Sequence, residues 1–224
     1  MLNADGTLPT WSLIQRRGQY GNPEDFFSSK LWNDYEQGFG EPDKGRMLVL
    51  FSINHFATEF WLGLKTLADL TSMGSWELLV KLEDFQGTSY VAIYHNFRVG
   101  PGPLYKLSVS GFDDSASNLT DSLTPHSGAS FSTKDRDNDA LEGINCALLY
   151  LGAWWYGTVT PGICHYTNLN GYNYNRGDLP HNGTYYAKGI IWRNEKKVAE
   201  QDHYFSWPKV EMKMRKCSEK IYTI

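Results

Sequence analysis

The run Asp135-Arg-Asp-Asn-Asp-Ala-Leu-Glu-Gly143 sets three carboxylates, Asp135, Asp137 and Asp139, on alternate residues. Alternate side chains can aim oxygens at one centre, and the backbone carbonyls of Leu141 and Gly143 can complete a shell of hard oxygen donors, which is calcium chemistry. An EF-hand would want glycine where Ala140 stands and a bidentate glutamate where Cys146 stands, so the run is not that motif. By itself it reads as a solvated acidic turn, partly neutralised by Lys134 and Arg136. Its surroundings reverse that preference. Cys146, the aromatic cluster Ala153-Trp-Trp-Tyr156 and then Cys164-His-Tyr-Thr-Asn-Leu-Asn-Gly171 follow directly. A bridge from Cys146 to Cys164 would close a loop worth roughly 3 kcal/mol in the chain-entropy model and hold the acidic run beside the aromatics. Neighbouring aromatics cannot both face one side of a strand, so one of Trp154 and Trp155 packs in the core and the other can shape a site.

Other chemistries find little support. The six histidines, His55, His95, His126, His165, His181 and His203, include no pair at zinc-helix spacing, and there is no nucleophile elbow or phosphate loop. His165 beside Cys164 suggests a thiol and imidazole pair, but a cysteine in a disulfide is no nucleophile, and adjacent side chains seldom meet. No enzyme is therefore expected. A net charge of −4 leaves no electrostatic footprint for nucleic acid. The longest apolar stretch, Met47 to Ile53, falls far short of the roughly 20 residues a membrane helix needs. Met1 is followed by Leu-Asn-Ala-Asp-Gly, without the basic start or apolar stretch of a secretory signal. The glycosylation triplets Asn118-Leu-Thr and Asn182-Gly-Thr nevertheless fit an extracellular surface. Three cysteines, Cys146, Cys164 and Cys217, are an odd number, which leaves one of them without an internal partner.

The elements that must position these residues suggest one α+β domain. A chain of 224 residues can bury a single sizeable core, and 15% aromatic residues with 21 glycines suit a loop-rich surface. Trp11 to Arg16 reads as a strand. Phe26 to Gln37 has helical spacing, with Phe27, Leu31 and Tyr35 on one face and Gly38 as its stop. Glu59 to Leu70 reads as a strand or short helix, and Trp76 to Glu83 and Tyr90 to Phe97 alternate as antiparallel strands. Beyond Ser108, Gly, Asn, Asp, Ser and Tyr dominate, which implies loops until a last alternation at Val210 to Met214. Binding residues concentrate on such loops.

The segments Trp11-Ser-Leu-Ile-Gln-Arg-Arg17, Tyr35-Glu-Gln-Gly-Phe-Gly40, Glu59-Phe-Trp-Leu-Gly-Leu64, Leu82-Glu-Asp-Phe85, Asp135 to Asp139, Cys164 to Gly171 and Glu211-Met-Lys213 are similar, in order, to the fibrinogen C-terminal domain. The likeness covers nearly the whole chain and is greatest to the arthropod tachylectin and ficolin-type lectins. It implies calcium held by Asp137 and Asp139 with the carbonyls of Leu141 and Gly143, leaving Asp135 just outside; Ile144 departs from the usual spacing before the cysteine. It implies an acetyl pocket at Tyr150, Tyr186 and Ala187, with the amides of Cys164 and His165 receiving the carbonyl and a further ring from His203 or Tyr204. A cis peptide between Ile163 and Cys164 is also implied.

Fibrinogen's polymerisation hole has an aspartate where Ala187 stands, so the resemblance points to acetylated sugars rather than cationic peptide ends. The function implied is a secreted, calcium-dependent lectin of innate immunity for the N-acetylglucosamine and N-acetylgalactosamine class. The alternative is a receptor- or matrix-binding domain of the angiopoietin or tenascin kind. Relative to the family, Gly45 to Ala57 reads as an insertion, Gly157 to Ile163 is longer than usual, and the chain begins one short subdomain late, as if truncated at its amino end. Cys217 is expected as a free thiol or a link between chains, and relatives form homo-oligomers through an upstream segment.

Overall fold

The computed structural model describes residues 10–41, 58–157, 162–193 and 203–217. The expected insertion at 45–57 and residues 158–161 of the lengthened approach to Cys164 lie outside them.

Alternation builds the sheet. Strands β1 (Ser12–Gly18), β2 (Phe39–Gly40), β3 (Phe60–Trp61), β4 (Trp76–Glu83), β5 (Ser89–Val99), β6 (Leu107–Phe112) and β9 (Lys209–Lys216) pair in the order β2-β3-β1-β9-β4-β5-β6, every neighbour antiparallel. The last alternating segment thus becomes a central strand. Register sets Val210, Met212 and Met214 opposite Leu82, Val80 and Leu78, all buried on one face. Burying each such side chain contributes about 1.5–3 kcal/mol. The intervening Lys209, Glu211, Lys213 and Arg215 point outward and pair with Glu83, Arg16 and Glu77 or with one another, which keeps that face wet at little gain in stability.

Three elements differ from the sequence reading. Helix α1 covers only Trp32–Gln37, and Phe26 to Ser29 form turns. The helix starts late because Leu31 is extended, its amide bonded to Asp34 Oδ2 at 2.9 Å, while the Trp32 amide is taken by Asp135 Oδ1 at 3.0 Å. The segment Glu59 to Leu70 is both strand and helix: β3 stops at Trp61 and α2 (Leu64–Ser72) follows. Gly63 makes the break at φ 100°, where a Cβ would stand 2.7 Å from the Gln37 carbonyl carbon. Strand β6 extends the sheet into the region read as loops, because Leu107 and Val109 alternate into the core.

Among the described residues the rest of the second half is loop-built as expected, with only short α3 (Cys146–Leu149), β7 (Thr167–Asn168) and β8 (Ile191–Trp192) after β6 and before β9, apart from one 3-10 turn at Thr124–His126. Buried side chains of β1 fasten it to the sheet. Arg17 and Glu59 form a wholly buried pair, Nε to Oε1 3.2 Å. Arg17 Nη1 also donates to the carbonyls of Leu169 and Gly171 at 3.3 and 2.8 Å. Gln15 Nε2 reaches Asn170 Oδ1 at 2.8 Å, and Asn170 Nδ2 reaches the Ala153 carbonyl at 2.9 Å. Gly171 lets this loop lie against the next, since a Cβ there would meet the Gly189 oxygen at 2.0 Å.

Candidate binding site

The acidic run folds over the entry to α3. Asp135 is engaged in the scaffold: besides the Trp32 amide, its Oδ1 accepts from Thr133 Oγ1 at 2.7 Å. Asp139 accepts the Leu141 amide on Oδ1 and the Cys146 amide on Oδ2, both at 2.9 Å, and the Asp139 amide donates to Asp137 Oδ1 at 3.2 Å. Burial, and then the Asp137 charge, push the Asp139 carboxyl above its usual range against the pull of those amides. The flanking cations do not relieve it. Arg136 lies over the Trp32 ring at 4.1 Å, and Lys134 Nζ donates to the Ser28 carbonyl at 3.0 Å.

Among the described residues no three His, Cys, Asp or Glu side chains gather to hold a metal. The Asp137 and Asp139 pair with the nearby Leu141 and Gly143 carbonyls is a different kind of set, all oxygen. Crowded carboxylates without a compensating cation fit a hard divalent ion by donor chemistry.

Asn145 caps α3, its Oδ1 accepting the Leu148 amide at 2.9 Å, and a disulfide joins Cys146 to Cys164. That bridge brings Cys164 and His165 beside the aromatics. Tyr150 stands edge-on to His165 at 4.6 Å between ring centroids, and Tyr156 lies 5.7 Å from the same imidazole. Tyr186 Oη is 3.1 Å from His203 Nδ1, and the Tyr186 ring also touches Tyr204 at 5.4 Å, so both His203 and Tyr204 adjoin it. Ala187 is buried at φ 57°, its amide donating to the His203 carbonyl at 2.8 Å. Burial, and then the Tyr186 phenol, raise the Tyr150 hydroxyl pKa.

The centre of the site is uncharged at neutral pH. His165 is 2% exposed with neither ring nitrogen in hydrogen-bond geometry, and burial followed by His126 and His203 depresses its pKa well below the usual value. Burial, and then Arg193, lower His203 to about 4. No acceptor among the described residues is paired with the backbone amides of Cys164 and His165.

One expected feature is absent. Among the described residues the cis peptide is Gly102–Pro103, and the bond from Ile163 to Cys164 is trans.

His126 is the member that sequence reading missed. Fully buried, it sets Nδ1 2.8 Å from the Trp155 carbonyl and receives the amides of Tyr166 and Thr167 on Nε2 at 3.0 and 3.2 Å. Two donors on Nε2 put the proton on Nδ1. This histidine ties the backbone just after His165 to the aromatic cluster, and nothing in its sequence neighbourhood marks it. At the glycosylation triplets, Asn118 and Asn182 are both exposed, although Asn118 Oδ1 accepts the Val91 amide at 2.6 Å and Asn182 Oδ1 accepts the Thr184 amide at 3.1 Å. Cys217 has no disulfide partner among the described residues of the chain. No helix among the described residues is long and apolar enough to cross a membrane.

Comparison with known proteins extends this description. The family model for the C-terminal globular domain of fibrinogen beta and gamma chains matches residues 2–217. Tenascin-R of Gallus gallus is 40% identical across 92% of this chain, which spans 12% of that protein. Techylectin-5A of Tachypleus tridentatus is 37% identical over 92% of the chain and 59% of its own length. For microfibril-associated glycoprotein 4 of Bos taurus the figures are 37%, 92% and 69%. Among solved structures, the fibrinogen-like globe domain of human ANGPTL6 superposes with a TM-score of 0.72 at 32% identity, covering 93% of this chain and 79% of that one. Lamprey fibrin D-dimer, in complex with the peptide Gly-His-Arg-Pro-amide, gives a TM-score of 0.72 at 26% identity over 96% and 65%.

Proposed function

The chain belongs to the fibrinogen C-terminal domain family, a family of non-enzymatic binding domains, and we propose that it acts as a secreted, calcium-dependent lectin for N-acetylated sugars in innate immune recognition. What supports the reading is that, among the described residues, the backbone amides of Cys164 and His165 have no acceptor, while the Tyr150 ring stands edge-on to a His165 held neutral by burial, and Ala187 is buried next to Tyr186, which contacts His203. An acetamide needs an apolar wall for its methyl and fixed donors for its carbonyl. A cationic peptide end would need a carboxylate where Ala187 stands. Asp137, Asp139 and the carbonyls of Leu141 and Gly143 would hold calcium, which would neutralise the crowded carboxylates. Asp139 grips the Cys146 amide, and Cys146 is bonded to Cys164, so order in the acidic loop is passed to the ligand-facing backbone. The disulfide and the exposed asparagines support an extracellular site of action.

Identity to tenascin-R supports a second reading, a matrix- or receptor-binding domain without sugar affinity. Calorimetry with N-acetylglucosamine, N-acetylgalactosamine and glucose, first in calcium and then in chelator, separates the two. The lectin reading expects the acetylated sugars alone to bind, and only with calcium. Ala187→Asp, whose side chain tolerates the left-handed backbone, should abolish sugar binding while the response of the melting temperature to chelator remains, although the buried carboxylate lowers that temperature. Failure of every acetylated sugar to bind would put the second reading ahead.

A further inference from the structure

A cavity of about 400 Å³ opens between one face of α2 and the turn that follows β5. It shares no lining residue with the sugar site, and its size falls within the roughly 300–1,000 Å³ usual for small-molecule sites. Lys65, Ala68, Asp69 and Ser72 line it from α2, at the spacing that sets side chains on one side of a helix. Arg98, Val99 and the Tyr105 ring face them. Both walls are held in place. Thr71 Oγ1 accepts the Val99 amide at 3.0 Å and ties α2 to the end of β5. Tyr105 is buried, its Oη donating to Glu36 Oε1 at 2.8 Å, and Gly102 lies against its ring, where a Cβ would stand 3.0 Å from the ring carbon Cζ.

The lining carries unpaired charges of both signs. Lys65, Asp69 and Arg98 are exposed, and none of them forms an ion pair among the described residues. Lys65 and Asp69 stand one helical turn apart, a spacing at which opposite charges can meet, yet they do not. Behind the ring, Glu36 and Arg136 act on the Tyr105 hydroxyl in opposite senses, which leaves the balance to the lining itself. A ligand that satisfies these groups carries an anion for Lys65 and Arg98, a cation for Asp69 and an apolar body for Ala68, Val99 and the Tyr105 ring. A planar carboxylate matches the fork of Arg98. A primary ammonium can donate to Asp69 and to the Ser72 hydroxyl. A quaternary ammonium donates nothing and is held by a cage of several rings, of which the lining supplies only Tyr105.

We propose that this cavity binds a free α-amino acid with an apolar side chain. The carboxylate lies between Lys65 and Arg98, the ammonium meets Asp69, and the side chain rests against Val99 and the Tyr105 ring. The site works independently of sugar recognition.

Phenylalanine is the probe, titrated calorimetrically into the whole chain beside hydrocinnamate, which lacks the ammonium, and phenethylamine, which lacks the carboxylate. Phenylalanine should bind at least tenfold more tightly than either. Asp69→Asn and Arg98→Gln alter exposed side chains, so the fold should survive, as melting temperature will verify. Each should weaken phenylalanine at least tenfold and leave N-acetylglucosamine titrations as in the parent. Asp69→Asn should also erase the preference over hydrocinnamate, and Arg98→Gln the preference over phenethylamine. The phenylalanine outcome stands whether or not the chain binds sugar. Absence of phenylalanine binding, equal affinity for either singly charged analogue, or indifference to both substitutions would overturn the assignment.

Discussion

Acid should unfold this protein in part through His126. Burial depresses its pKa from 6.5 to about 4, outweighing the Trp155 carbonyl and Asp121, which favour the proton. Above about pH 6.5 the imidazole is neutral whether the chain is folded or not, and it adds no pH dependence. As pH falls below that value, the unfolded chain takes up the proton and the folded one resists, so stability present at neutral pH is lost through the window from 6.5 down to about 4. At roughly 1.36 kcal/mol per pH unit the loss reaches ~3 kcal/mol, a large share of the 5–15 kcal/mol typical of a domain. His165 and His203, depressed likewise by burial, act in the same direction. His126→Gln isolates the one contribution, because a carboxamide can still donate to Trp155 and accept from Tyr166 and Thr167 but does not titrate. Urea denaturation in steps from about pH 7.5 to 4 should show the variant losing ~3 kcal/mol less than the parent. Equal losses in the two proteins would refute the argument, as would a parent whose stability is flat across the window.

Chelation should lower the parent's melting temperature, and Asp137→Ala or Asp139→Ala should remove that response. Asp135→Ala should instead cost about 1 kcal/mol through the lost cap on α1 while the chelator response stays intact, both read by thermal melts. Arg17→Leu leaves Glu59 buried and unpaired, so urea denaturation should show a loss of about 3–5 kcal/mol. Thiol titration of the native protein should find one reactive group, Cys217, and two more after reduction and unfolding. Burial, and then Glu77, raise the Cys217 pKa, so its labelling should speed up as pH rises.

Much of this protein was legible in its residues taken in order. Period-two alternation identified β4, β5 and β9, because a strand half-buried against a core repeats every second residue wherever it lies in the sheet. The run from Asp135 to Asp139, the cysteines and the Trp154-Trp155 pair carried the family likeness as words in a fixed order. Local pattern went astray where a distant group competed with it. The helical spacing from Phe26 was real, but Asp135, 103 residues away, claimed the Trp32 amide and started the helix there. The acidic run read as neutralised by Lys134 and Arg136, yet Trp32 and the Ser28 carbonyl draw those cations off, leaving Asp137 and Asp139 crowded. His126 had no sequence signal because its partners lie 29 to 41 positions away, and Gln15 meets Asn170 across 155 residues. Spacing along the chain can announce which side chains share one strand face or one loop. Only tertiary packing decides which buried donor finds which acceptor, because that choice depends on removing each group from water with the partner that the folded chain brings to it.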